Sequence, residues 1–144
     1  MRVAFLINSL GTGGAETIFE TLTNGFVEKG IYPHILLLEK KNEYQIDSRC
    51  KITYLTPFNK IPHLVKLLAI PFLALRLNKY CNRNNIGIVM SHLYRSNYVN
   101  ILSNFKKKRK TILINQGTIS RYKVEGILGK VNLYLIKHLY KRSD

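Results

Sequence analysis

The residues best suited to chemistry stand close to the start of the chain: Asn8-Ser9-Leu10-Gly11-Thr12-Gly13-Gly14-Ala15-Glu16. They follow an apolar run, Val3 to Ile7, and precede a helix-periodic one. Strand, glycine-rich turn and helix is the layout in which backbone N–H groups and a helix N-terminus face an anionic ligand. Gly13-Gly14 lets the backbone approach that ligand with no Cβ in the way. The turn suits a phosphate-bearing or sugar-bearing molecule; the plain alternative is a tight strand-to-helix connection with no ligand. A second polar segment, Ser91 to Ser96, holds His92, Arg95 and Ser96, and a third, Asn115 to Arg121, holds Gln116. His92 could act from a strand end or sit in the core bonded to backbone. Arg95 could contact a phosphate or lie solvated on the surface.

The elements that must position these groups follow from periodicity. Val3 to Ile7 reads as a strand. Ala15, Ile18, Phe19, Leu22 and Phe26 share one face of a helix that Gly30 stops. Ile35 to Leu38 and Ile52 to Leu55 are short strands around a polar stretch, Glu39 to Lys51, that reads as loop. Ile61 to Cys81 is helical, with Pro71 either kinking it or starting a second helix. Gly87 to Met90 is a fourth strand, Tyr94 to Phe105 a helix, Thr111 to Ile114 a fifth strand and Ile127 to Tyr140 a last helix. Short β-branched runs alternating with helices predict an α/β fold with a Rossmann-like parallel sheet covered on both faces. In such sheets ligands bind beyond the C-terminal ends of the strands, where the three polar segments fall.

Composition narrows the classes. The chain has 144 residues, enough for one domain with a real core, and is 46% hydrophobic and 22% charged, which is globular and not disordered. Lys and Arg total 23 against 8 Asp and Glu, a net charge of +15, which implies an anionic partner: a membrane surface, a phosphorylated substrate or nucleic acid. No nucleic-acid motif accompanies the charge, so no nucleic-acid partner is expected. Cys50 and Cys81 make no disulfide framework and read as small buried apolar residues in a reduced compartment. His34, His63, His92 and His138 have no metal spacing, so neither a metal nor a cofactor is expected. The N-terminus has no secretory cleavage pattern, and the most apolar segment, Ile61 to Leu77, carries Lys66 and Arg76 and is too short to span a membrane. With Lys79 and Arg83 it suits an interfacial helix, and Lys106-Lys107-Lys108-Arg109-Lys110 could attract acidic phospholipid. The plain alternatives are an ordinary covering helix and a solvated basic loop.

Several of these stretches resemble a known family. Ser9-Leu10-x-x-Gly13-Gly14-Ala15-Glu16, followed by Leu22 and Gly30, is similar to the start of GT-B glycosyltransferases of family 4. Ile88-Val89-Met90-Ser91-His92-Leu93-Tyr94-Arg95-Ser96-Asn97 resembles that family's fourth-strand segment. Ile112 to Gly117 sits where the family has a strand ending in a histidine–glycine loop, and Leu139-Tyr140-Lys141-Arg142-Ser143-Asp144 resembles the helix end before its sixth strand. The resemblance implies sugar transfer from a nucleotide-sugar donor to a glycan or polyprenyl-linked acceptor, with retained anomeric configuration and no metal. It points to His92 and Gln116 for catalysis and to Gly13, Gly14, Arg95 and Ser96 for substrate. Gln116 stands near the family's histidine; an amide carries no proton but can hydrogen-bond a sugar hydroxyl. The family's second Rossmann-like domain, which holds the donor, has no counterpart in these residues. The expectation is an N-terminal, acceptor-side domain over residues 1–144, truncated and inactive alone, serving polysaccharide, lipopolysaccharide or capsule synthesis in the bacterial cytoplasm at the inner face of the plasma membrane.

The runner-up is a dinucleotide-binding domain. Gly11-x-Gly13 partly matches that fingerprint and Glu39 ends the second strand, but Glu16 replaces the third glycine, whose absence spoils close helix–strand packing.

Overall fold

The computed structural model describes residues 1–57, 62–115 and 126–144. The elements run β1 (Arg2–Ile7), α1 (Gly14–Glu28), β2 (His34–Leu37), β3 (Ile52–Tyr54), α2 (His63–Leu68), α3 (Ile70–Asn84), β4 (Ile86–His92), α4 (Tyr94–Ser103), β5 (Lys110–Ile114) and α5 (Gly126–Leu139), with a 3-10 turn at Tyr140–Arg142. The five strands form one parallel sheet in the order β3-β2-β1-β4-β5.

β1 and β2 bury side chains on both faces, because the two-residue repeat sends neighbours to opposite sides. In β1, Ala4 and Leu6 join a core with Leu73 and Leu77 of α3 and with Tyr98 and Val99 of α4. Phe5 and Ile7 join the other core with Phe19 of α1 and Cys50. All four β1 side chains are fully buried. A strand covered on both faces has no polar position, which explains the unbroken apolar run. Phe5 stacks edge-on against Phe19 and Phe26, at centroid distances of 5.9 and 4.9 Å, fixing α1 to the sheet.

Pro71 does begin a second helix: α2 ends at Leu68, and α3 carries the proline in its first turn, where the missing N–H costs nothing. Two other readings change. β4 runs two residues past Met90, so Ser91 and His92 belong to the strand and not to its loop. The basic run is only partly a solvated loop. Lys110 opens β5, and Arg109 is buried, its guanidinium donating to Asn78 Oδ1 at 3.0 Å and to the Ser103 carbonyl at 2.9 Å.

Candidate functional site

Strand order reverses between β1 and β4. From β1 the chain winds outward to β2 and β3, then returns to the other side of β1 as β4. The crevice at that switch is where open α/β sheets bind ligands. The register Leu6↔Ser91 puts the end of β1 beside the end of β4. Their exit segments are tied together: the Ser96 hydroxyl donates to Asn8 Oδ1 at 2.8 Å. Asn8 in turn accepts from the Glu39 N–H at 2.9 Å, and the Leu10 N–H donates to the Lys41 carbonyl at 2.9 Å. The loop after β1 is thus held by the segment that leaves β2.

Two helices begin at this crevice. At α1, Gly13 is the N-cap, with extended backbone (φ −178°), and no side chain caps the helix. A Cβ on Gly13 would stand 2.5 Å from Glu16 Oε2, so the Glu16 carboxylate folds back over the helix N-terminus. Among the described residues a Cβ on Gly14 would meet nothing within 4 Å, so packing among them makes no use of the missing side chain there. At α4, Leu93 is the N-cap with φ 71° and ψ 150°, a left-handed region nearly exclusive to glycine. This is a strained turn directly before Arg95 and Ser96.

Arg95 is not a surface arginine. Its side chain is 7% exposed and makes a short charge-assisted bond to Glu39 Oε1, reaching past the end of β1. Lys66 of α2 meets the same carboxylate, with Nζ 3.0 Å from Oε1 and 3.2 Å from Oε2. Burial alone would raise the Glu39 pKa; the hydrogen bonds and charges of Arg95 and Lys66 outweigh it and hold the carboxyl below its ordinary value. The polar stretch from Glu39 therefore begins with a buried acid at the crevice. Both its oxygens are taken by cations, whereas a dinucleotide site needs the acid at the end of β2 for the ribose hydroxyls.

His92 is fully buried and stacks edge-on against Phe19, centroids 5.0 Å apart. Burial lowers its pKa to about 4, so the ring is neutral at pH 7. Ser96 is fully buried as well, its hydroxyl turned to Asn8. Below them a polar network fixes α4 to the sheet. The Ser91 hydroxyl donates to Asn97 Oδ1 at 2.8 Å, Asn97 Nδ2 donates to the Tyr140 hydroxyl at 2.9 Å, and Asn100 Nδ2 donates to the Val89 carbonyl at 3.0 Å. Gln116 and most of the third loop, from Gln116 to Arg121, lie outside the described residues. Among the described residues no cluster of His, Cys, Asp or Glu could hold a metal.

Sequence reasoning brought the first two loops to one place. It missed that Glu39, Lys66 and Arg95 converge there, and it missed the strained Leu93. The available signal for the first was a lone acid closing an apolar strand in a chain of +15.

No family model matches the chain. A curated relative from Campylobacter jejuni subsp. jejuni serotype O:2 is 30% identical over 99% of the chain; it is N-acetylgalactosamine-N,N'-diacetylbacillosaminyl-diphospho-undecaprenol 4-alpha-N-acetylgalactosaminyltransferase. The chain spans 40% of that relative's length. Among solved structures, the sucrose-phosphate synthase of Thermosynechococcus elongatus superposes over 100% of this chain and 41% of its own, with a TM-score of 0.78 at 12% identity. The lipopolysaccharide outer core galactosyltransferase WaaB superposes over 93% of this chain and 37% of its own, with a TM-score of 0.65 at 15% identity. At such identities the structures speak for the fold, and the Campylobacter sequence for the relationship. The chain is thus similar over its length to a bacterial glycosyltransferase, and its fold is that of the Rossmann-like domains of GT-B glycosyltransferases.

Proposed function

We propose that residues 1–144 form the acceptor-side domain of a glycosyltransferase that moves a sugar from a nucleotide-sugar to a lipid-linked or cell-surface glycan. A fold alone supports no activity. The observation that carries the reading is the sequence relationship over 99% of the chain to a transferase named for a diphospho-undecaprenol-linked acceptor. The geometry supports it, because the glycine turn and the α4 N-terminus meet at one crevice. In this reading Gly13 and Gly14 admit substrate against the backbone, and Arg95 and Ser96 shape the substrate side. His92 supports the floor as a neutral ring, and Gln116 hydrogen-bonds a sugar hydroxyl. Retention of configuration and independence from metal follow from the resemblance and belong to the proposal. So does the assignment to cell-surface polysaccharide synthesis.

The proposal places the domain on the inner face of the plasma membrane. Val65, Leu68, Phe72 and Leu75 are exposed at helical spacing across α2 and α3, between 47% and 72% of their surface. Lys66, Arg76, Lys79 and Arg83 flank them. Among the described residues no helix is long and apolar enough to cross a membrane. An apolar stripe edged with cations lies in the interface plane of an anionic membrane. Co-sedimentation with liposomes should rise with anionic lipid and weaken with salt; equal binding to neutral liposomes would sink this part.

For activity, residues 1–144 are compared with a chimera that joins them to the C-terminal remainder of the curated relative. The expected result is no transfer by the shorter chain and transfer by the chimera to an undecaprenyl-diphosphate-linked saccharide, using one of a panel of nucleotide-sugars. A folded chimera that transfers no sugar from any donor overturns the reading.

A further inference from the structure

We propose that the Glu39 carboxylate is an internal stand-in for the diphosphate of a lipid-linked acceptor, holding Arg95 and Lys66 until that diphosphate takes its place. The inference rests on the lipid-linked acceptor proposed above and names the groups that recognise it.

Two cations share one acid in a place where Arg95 and Glu39 are 7% and 11% exposed. Removal from water makes an uncompensated charge costly, so the surplus positive charge draws an anion. Arg95 itself is short of a partner. Its Nε is buried with no hydrogen-bond partner among the described residues, although an arginine offers five donors. Arg95 stands in the first turn of α4, whose N-cap, Leu93, has an apolar side chain that makes no capping bond. A cation there opposes the helix dipole, whereas an anion bound to it completes the dipole. At α1 the helix N-terminus already carries its own carboxylate, Glu16. Oε1 meets both Arg95 and Lys66, and Oε2 meets Lys66 as well, so one acidic group joins an arginine and a lysine as phosphate oxygens do. Finally, Lys66 stands on α2 between Val65 and Leu68, both exposed. A headgroup arriving with an apolar tail meets the cation and the apolar stripe together.

Exchange predicts an inverted response. Removing an acid elsewhere on a basic protein changes anion binding little, but removing Glu39 removes the competitor. Calorimetric titration of the 144-residue chain at physiological salt uses farnesyl diphosphate, inorganic pyrophosphate, farnesol and UDP as probes. Glu39→Gln should bind farnesyl diphosphate about tenfold tighter, the scale of one charge-assisted hydrogen bond. Lys66→Gln should weaken it about tenfold. Arg95→Gln risks unfolding by leaving Glu39 under-compensated, so the Arg95→Gln/Glu39→Gln pair is the second variant; it should bind weakly and remain folded. Lys137→Gln and Glu28→Gln, exposed residues with the same charge changes, should leave affinity unaltered. Pyrophosphate should respond to the variants as farnesyl diphosphate does, and farnesol should not bind. Unchanged or weaker binding in Glu39→Gln overturns the proposal, as does an equal loss in Lys137→Gln. Farnesol binding as tightly as its diphosphate also overturns it. A UDP affinity that follows the same pattern as strongly moves the site to the donor and overturns the acceptor assignment. The titration needs no sugar transfer, so an inactive chimera with an intact Glu39 response would sink the transferase reading alone.

Discussion

The two helices that begin at the strand-order switch meet it with opposite charge. α1 opens with Gly13 and Gly14 and folds its own Glu16 carboxylate over its N-terminus. α4 opens with a strained leucine and then places Arg95 against its own dipole. An acid in the first turn satisfies a helix locally, by a few tenths of a kcal/mol to about 1. A cation in the first turn has to be compensated from elsewhere, and here the partner, Glu39, comes from the exit of β2 on the far side of β1. The α1 end thus finds its compensating charge in its own first turn, whereas the α4 end is compensated only when β2, β4 and α2 have assembled. An N-terminus that needs long-range compensation is the one that can be re-addressed by a ligand.

The comparison breaks most visibly at Gly14. Among the described residues nothing stands within 4 Å of a Cβ there, and the native φ is not in the left-handed region. Gly14→Val in the chimera should therefore keep the circular-dichroism spectrum and the denaturation midpoint while transfer falls about a hundredfold, the scale on which a misplaced substrate loses rate. Normal transfer would show that the α1 turn is away from the chemistry. An unfolded variant would show that the glycine is structural.

The α4 end should respond in stability. Arg95→Gln leaves the buried Glu39 with Lys66 alone and should cost about 3 kcal/mol in urea denaturation. Adding Glu39→Gln should restore most of that loss, because two neutral groups remain. Equal losses in the single and double variants would mean that the arginine acts through packing and not through its partner.

The smallest effect is in the acid response. The folded pKa of Glu39 lies below its unfolded value of 4.5. Its contribution is complete above that value and is lost as pH falls through the folded pKa. His92 has an unfolded pKa of 6.5 and a folded one of about 4, so the unfolded chain takes up the proton first and stability falls across that window. Stability against urea should thus decline from about pH 6.5 downward. His92→Phe should flatten the limb between 6.5 and 4, and Glu39→Gln should flatten only the part below about 4.5. A wild-type curve level between pH 6.5 and 4 would contradict a buried neutral His92.

The strands, the helix after the glycine turn, the break at Pro71 and the alternation of elements were all legible, because each rests on neighbours within a few residues. Periodicity also showed that the loops after β1 and β4 belong at one edge of a parallel sheet. It did not show that Arg95 is buried. A lone arginine in the first turn of a helix reads as solvated because its compensating acid stands 56 residues away, in a stretch whose composition reads as loop. Arg109 misled for the same reason: its partners Asn78 and Ser103 come from α3 and α4, and a run of five basic residues hides the one that turns inward.

By itself, then, the sequence determined the α/β class, the order of elements, the glycine turn against the first helix and a strongly basic surface, since backbone propensity, side-chain period and net charge are local or additive. Tertiary structure alone decided which charges meet. The parallel order β2-β1-β4 carries Glu39 and Arg95 to the same end of the sheet on either side of β1, α2 brings Lys66 above them, and burial makes the three act as one group. A Coulomb interaction depends on distance and on the water removed around it, and neither can be read along the chain.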